Sequence, residues 1–148
     1  MKIQYNLPCN IAQTLNIIGD KWSLLILNQL FDGRETYKEI QDGLEGIPTN
    51  LLSERLKSLE TNKLIVKKLY QTHPPRYKYI LTEMGCDLVD VFNSFILWGE
   101  KHLNKCCNTL VHKYCNGKVE HKYYFPNCDS YLEASELCVI QNEKISEV

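Results

Sequence analysis

The stretch from Pro48 to Glu60 constrains the fold of this chain most. On a helical wheel Leu52, Leu56 and Leu59 fall in one narrow stripe, while Asn50, Ser53, Glu54 and Lys57 gather on the opposite side. Such a helix buries one flank only and turns short polar side chains outward. Just before it, Gly43-Leu44-Glu45-Gly46-Ile47-Pro48 puts two glycines in a tight turn and a proline where a helix begins. Asn62, which tolerates the left-handed conformation, is the expected stop. Directly behind come Ile65–Tyr70 and Arg76–Leu81, two runs in which β-favouring residues alternate with cations around a turn holding Pro74 and Pro75.

The flanking segments read as helices. Ile11, Leu15 and Ile18 predict a helix over 10–18 with Gly19 as its stop, and Asp20 caps the next, Trp22 to Phe31, which is apolar on most sides and therefore central. Thr36-Tyr37-Lys38-Glu39 has the form of a capping box and opens a short helix to about Asp42. After the hairpin, Thr82 caps a helix expected to run unbroken to about Leu103. Met84, Leu88, Val91, Phe92, Phe95 and Trp98 form its apolar stripe, which Val89, Ile96 and Leu97 broaden. That surplus on a terminal helix predicts a partner helix from a second subunit.

The expected fold class is therefore mainly α with a small β-hairpin: a winged helix-turn-helix with a long C-terminal dimerisation helix and a short cysteine-containing tail. Residues 1–104 make the winged domain with its dimerisation helix, and 105–148 a C-terminal extension. Charge agrees with that layout. The chain as a whole carries a formal charge of −1, so attraction to a polyanion must come from a local patch. Between Thr49 and Leu81 lie Arg55, Lys57, Lys63, Lys67, Lys68, Arg76 and Lys78, against only Glu54 and Glu60. A loop that lies along phosphates needs such cations, and its prolines reduce the entropy lost on docking.

No apolar run approaches the roughly 20 residues of a membrane span, and the first residues lack the hydrophobic core of a secretory signal, so the expected location is cytoplasmic, with no membrane partner. The seven cysteines are odd in number and irregular in spacing, as expected of reduced thiols. Cys106, Cys107, His112, Cys115, His121, Cys128 and Cys138 crowd the tail, but paired Cys-x-x-Cys knuckles are missing, so no metal and no cofactor is expected. A packed subdomain built on Tyr123, Tyr124, Phe125 and Leu132 is the expectation there.

Residues 9–103 resemble the HxlR family of winged-helix transcriptional regulators. The likeness is carried by Cys9, Gly19-Asp20-Lys21-Trp22, Leu25-Ile26-Leu27, Gly46-Ile47, Leu52-Ser53-Glu54-Arg55-Leu56, Pro74-Pro75-Arg76-Tyr77, Leu81-Thr82-Glu83-Met84-Gly85 and Trp98-Gly99-Glu100-Lys101-His102. Asn10 stands where that family often has proline, and Asn62-Lys63 where an acidic residue and glycine often precede the wing. The resemblance implies a homodimer joined through its terminal helices, bound to an inverted-repeat operator in double-stranded DNA. In several members the N-terminal cysteine answers oxidants or electrophiles.

Thr49, Asn50, Ser53 and Lys57 are the candidate groove contacts, because amides, hydroxyls and ammonium groups of this reach pair with base edges or phosphates. On the wing, Arg76 leads, with His73, Lys68 and Lys78 behind it. Arg55 lies beside the packing stripe and serves either to brace the helix or to touch DNA, while Tyr77 and Tyr79 are expected to pack the wing onto the body. Cys9 precedes a helix whose free backbone donors favour a thiolate, which makes it the redox-sensing candidate. Cys86 is expected to pack. No catalytic residues are expected, since no histidine or acid stands at motif spacing to activate a nucleophile. The alternative is a protein-interaction module that reuses the winged helix without binding DNA.

Overall fold

The computed structural model describes residues 4–105 and 108–140; Cys106 and Cys107 lie outside the described residues. The helices are α1 (Asn10–Ile18), α2 (Ser23–Phe31), α3 (Tyr37–Gly43), α4 (Thr49–Thr61), α5 (Glu83–Cys86) and α6 (Val89–His102). Strands β1 (Ile65–Gln71) and β2 (Arg76–Leu81) form the hairpin between α4 and α5, and β3 (Tyr123–Phe125) and β4 (Ser130–Leu132) a second one in the tail. The chain divides into two compact units, Met1–Phe92 and Asn93–Val148.

In the first unit the core gathers around Ile26, Leu27, Ile40, Leu52, Leu56 and Ile65, all essentially inaccessible to solvent. α2 is central as its composition predicts, although Leu25 stays exposed. The capping box at the start of α3 is present: the Glu39 N–H donates to Thr36 Oγ1 (3.3 Å) and the Thr36 N–H to Glu39 Oε2 (2.9 Å). Gly46 has φ +82, a conformation that side chains with a Cβ rarely adopt, and it turns the chain into Pro48, which precedes the first residue of α4.

β1 and β2 pair antiparallel with Ile65 opposite Leu81 and Lys67 opposite Tyr79, and the register slips between Leu69 and Gln71. The segment before α3 adds a short third edge: Thr36 bridges Lys78, and the Tyr79 N–H donates to the Glu35 carbonyl (2.8 Å). The hairpin is thus fastened to the body at its middle.

Several expectations need correction. The left-handed residue after α4 is Lys63 (φ 61), not Asn62, whose φ is −83 and whose side-chain amide instead donates to the Ser58 carbonyl (2.8 Å). The single long helix after Thr82 is two. Thr82 caps α5 by accepting from the Gly85 N–H (3.1 Å), and the chain then turns at Asp87-Leu88 before α6 begins. Gly85 lies so close to the hairpin base that a Cβ there would meet the Leu64 carbonyl at 2.1 Å, so α5 is positioned by a contact distant in sequence. Cys86, expected to pack, is exposed.

In the second unit, Tyr123 pairs with Leu132 and Phe125 with Ser130, and Lys122 reaches Glu133 (2.8 Å). Tyr123, Tyr124 and Phe125 keep exposed faces, so the tail hairpin forms without the buried core expected of it. Among the described residues no helix is long and apolar enough to cross a membrane, and no group of three or more His, Cys, Asp or Glu could hold a metal ion.

Candidate nucleic-acid interface

The division of faces on α4 follows the wheel. Leu52, Leu56 and Leu59 are buried, and Thr49, Asn50, Ser53 and Lys57 on the other flank are exposed. Burying three leucines contributes on the order of 5–8 kcal/mol against solvent exposure, so the helix cannot roll its polar flank inward without forfeiting that.

Two polar ties set the helix further. Arg55 Nε lies 3.2 Å from Asp20 Oδ1, both side chains largely buried, which settles Arg55 as a brace. Asp20 also accepts the N–H groups of Trp22 and Ser23 (3.0 Å each) and the Ser23 hydroxyl. Burial pushes its carboxyl up, but these hydrogen bonds and the Arg55 charge outweigh burial and hold it below the ordinary aspartate value. The second tie was not anticipated. Tyr37 Oη donates to the Thr49 carbonyl (2.8 Å) and accepts from Ser53 Oγ (3.3 Å), so a residue of α3 fixes the first turn of α4. An aromatic residue inside a short helix reads in sequence as core filling, and nothing local marks its hydroxyl as a brace.

On the wing, Lys68, His73 and Arg76 are exposed. His73 Nδ1 is 3.2 Å from Thr72 Oγ1, and the Gln71 amide donates to the His73 carbonyl (3.1 Å), shaping the tip. Lys78 stands apart from the other cations. It lies directly opposite Lys68 on the ladder, a like-charge pairing that costs stability, and Glu35 offsets this by taking its ammonium at 3.0 Å. That hydrogen bond and the Glu35 charge raise the Lys78 pKa above the ordinary lysine value. Tyr79 packs against the core as expected; Tyr77 does not, and Lys67 Nζ lies over its ring at 4.1 Å.

The start of α3 and the wing border one cleft. It has a volume of about 550 Å³ and is lined by Tyr37 and Lys38 of α3 and by Tyr70, Arg76, Tyr77 and Tyr79 of the hairpin. Tyr37, which holds the first turn of α4, is therefore also a wall shared with Arg76.

Cys9 occupies the residue just before α1, in extended conformation, with an exposed thiol that makes no capping bond.

A two-helix motif formed by α3 and α4, backed by an antiparallel hairpin, defines a winged helix-turn-helix protein. The chain belongs to the HxlR-like helix-turn-helix family, whose model matches residues 17–106, and is a transcriptional regulator of that type. It is 34% identical over 91 residues to the HTH-type transcriptional regulator YodB of Bacillus subtilis, an alignment spanning 62% of this chain and 81% of YodB. Among solved structures it is similar to PA1607, described as a candidate transcription factor (TM-score 0.79, 26% identity), over 93% of this chain and 97% of that one, so the likeness extends into the tail. Reduced YodB (TM-score 0.56, 30% identity) matches over 68% of this chain and 99% of YodB. The redox regulator HypR in its oxidised form (TM-score 0.58, 29% identity) matches over 65% of this chain and 99% of HypR.

Proposed function

We propose that this protein binds an inverted-repeat operator in double-stranded DNA as a homodimer, in the cytoplasm and as a regulator rather than an enzyme. Thr49, Asn50, Ser53 and Lys57 of α4 enter the major groove, and Lys68, His73 and Arg76 of the wing follow the adjacent backbone or minor groove. Lys78, shared with Glu35, contributes chiefly by holding the wing in place. The observation that carries this reading is the position of Tyr37, which bonds the first turn of α4 and lines one cleft with the cationic wing residue Arg76. An interaction module would not need both surfaces cationic and polar together.

Dimerisation is assigned to the terminal helices within residues 1–104. Ile11 of α1 is 71% exposed, and Phe95 and Trp98 of α6 are 57% and 58% exposed, apolar surface that a monomer leaves in water. Residues 105–148 are an extension to that domain.

Thiol chemistry at Cys9 controls the binding in this reading. Support comes from its exposed position at the start of a helix and from relatives whose structures include a diamide-treated YodB and an oxidised redox regulator, HypR. Footprinting on DNA flanking the protein's own gene tests both parts. Reduced protein protects a two-fold symmetric site, diamide weakens that protection, and Cys9→Ser keeps it in diamide. Protection unchanged by diamide removes the sensor role and leaves DNA binding intact; the absence of any protected site removes the regulator's operator.

A further inference from the structure

The cleft between α3 and the outer half of the wing contains a residue that the helix-turn-helix pattern did not single out. Four tyrosines, Tyr37, Tyr70, Tyr77 and Tyr79, make its walls, with Lys38 entering from α3 and Arg76 from the wing. The lining holds no carboxylate. The two acids beside it are engaged elsewhere: Glu39 closes the capping box on Thr36, and Glu35 holds Lys78. Lys38 and Arg76, by contrast, are exposed and form no ion pair with any described residue.

We propose that this cleft seats one strand of the DNA backbone, a phosphodiester held between Lys38 and Arg76, with the Tyr70 and Tyr77 hydroxyls as neutral donors and ring faces against the sugar. The inference rests on the DNA-binding reading above and adds to it the path of one strand and a contact residue, Lys38. Each part has a physical reason. A duplex gripped by the first turn of α4 must carry a backbone past Tyr37, because Tyr37 bonds that turn directly. Cations on both sides with no acid between them suit a phosphodiester, and hydroxyl donors on aromatic rings position a backbone without reading its sequence. A phosphate pinned from α3 on one side and from the wing on the other would also hold the two surfaces in register on the DNA.

The test measures log Kobs against log salt concentration by fluorescence anisotropy, on a labelled duplex carrying the footprinted site and on a scrambled duplex. Full-length wild type is compared with Lys38→Gln, Arg76→Gln, the double variant, and Lys118→Gln in the tail as a charge control. Lys38 is a surface residue, and unchanged thermal midpoints establish that the variants fold. Because the homodimer carries each residue twice, each single substitution lowers the slope by about two and the double variant by about four, with affinity falling by the same factor on both duplexes, while Lys118→Gln leaves the slope unchanged. A wild type that binds while Lys38→Gln keeps the wild-type slope overturns the seat alone. A wild type that binds neither duplex overturns the DNA-binding reading, and the seat with it.

Discussion

The Arg55 guanidinium lies 3.2 Å from the Asp20 carboxylate, which ties α4 to the entry of α2 across 35 residues of chain. The same carboxylate receives the first N–H groups of α2, so one acid both starts a helix and holds another. Asp20→Asn leaves the largely buried Arg55 with only the exposed Glu54 carboxylate, 3.5 Å away, as its charge partner and is expected to cost about 2 kcal/mol, read in urea denaturation.

Acid stability follows from the same residue. Folding holds the Asp20 carboxyl below its ordinary value of 3.8. Its contribution is therefore complete above about pH 4 and is lost as pH falls through the lower folded value. Thermal midpoints of the wild type should drop more steeply below pH 4 than those of Asp20→Asn. Parallel acid limbs would show that the pair contributes nothing there.

Lys63 ends α4 with φ 61, a conformation that a side chain with a Cβ adopts at a cost. Lys63→Gly removes that cost and should raise stability by about 1 kcal/mol, seen as a higher thermal midpoint. A lower midpoint would mean that the lysine side chain contributes more than its backbone costs.

Gly85→Ala should act in the opposite direction. Its new methyl would sit 2.1 Å from the Leu64 carbonyl, a backbone atom that cannot step aside. A loss on the order of 2–3 kcal/mol is expected, with the hairpin base displaced from α5. Wild-type stability in the alanine variant would show that α5 is free to shift.

These residues also mark where the sequence stops being readable. The spans of α1 to α4 follow from apolar spacing and from local signals such as the Thr36/Glu39 box, because helix caps are satisfied within a few residues of themselves. The break between α5 and α6 is not marked locally, and the packing that places α5, Gly85 against Leu64 at the hairpin base, joins residues about twenty apart in the chain. The site divides in the same manner. The cationic run is plain in composition, but that Lys78 is held by Glu35, 43 residues earlier, and that Tyr37 braces α4, depend on partners only the fold brings together.

Dimerisation can be tested apart from DNA. Phe95, exposed on α6, lies on the apolar stripe expected to face a partner. Phe95→Asp should convert a dimer to a monomer in sedimentation equilibrium and lower operator affinity more than tenfold, with the secondary structure retained. A wild type that sediments as a monomer at micromolar concentration would exclude the homodimer.

The exposed flank of α4 supplies the deciding measurement. Anisotropy titrations give the ratio of affinity for the footprinted duplex to affinity for a scrambled one, in wild type and in Asn50→Ala/Lys57→Ala. Loss of base contacts worth about 1–3 kcal/mol should reduce that ratio by about 5- to 150-fold while nonspecific binding falls far less. An unchanged ratio in the double variant would contradict the assignment of α4 as the helix that reads DNA.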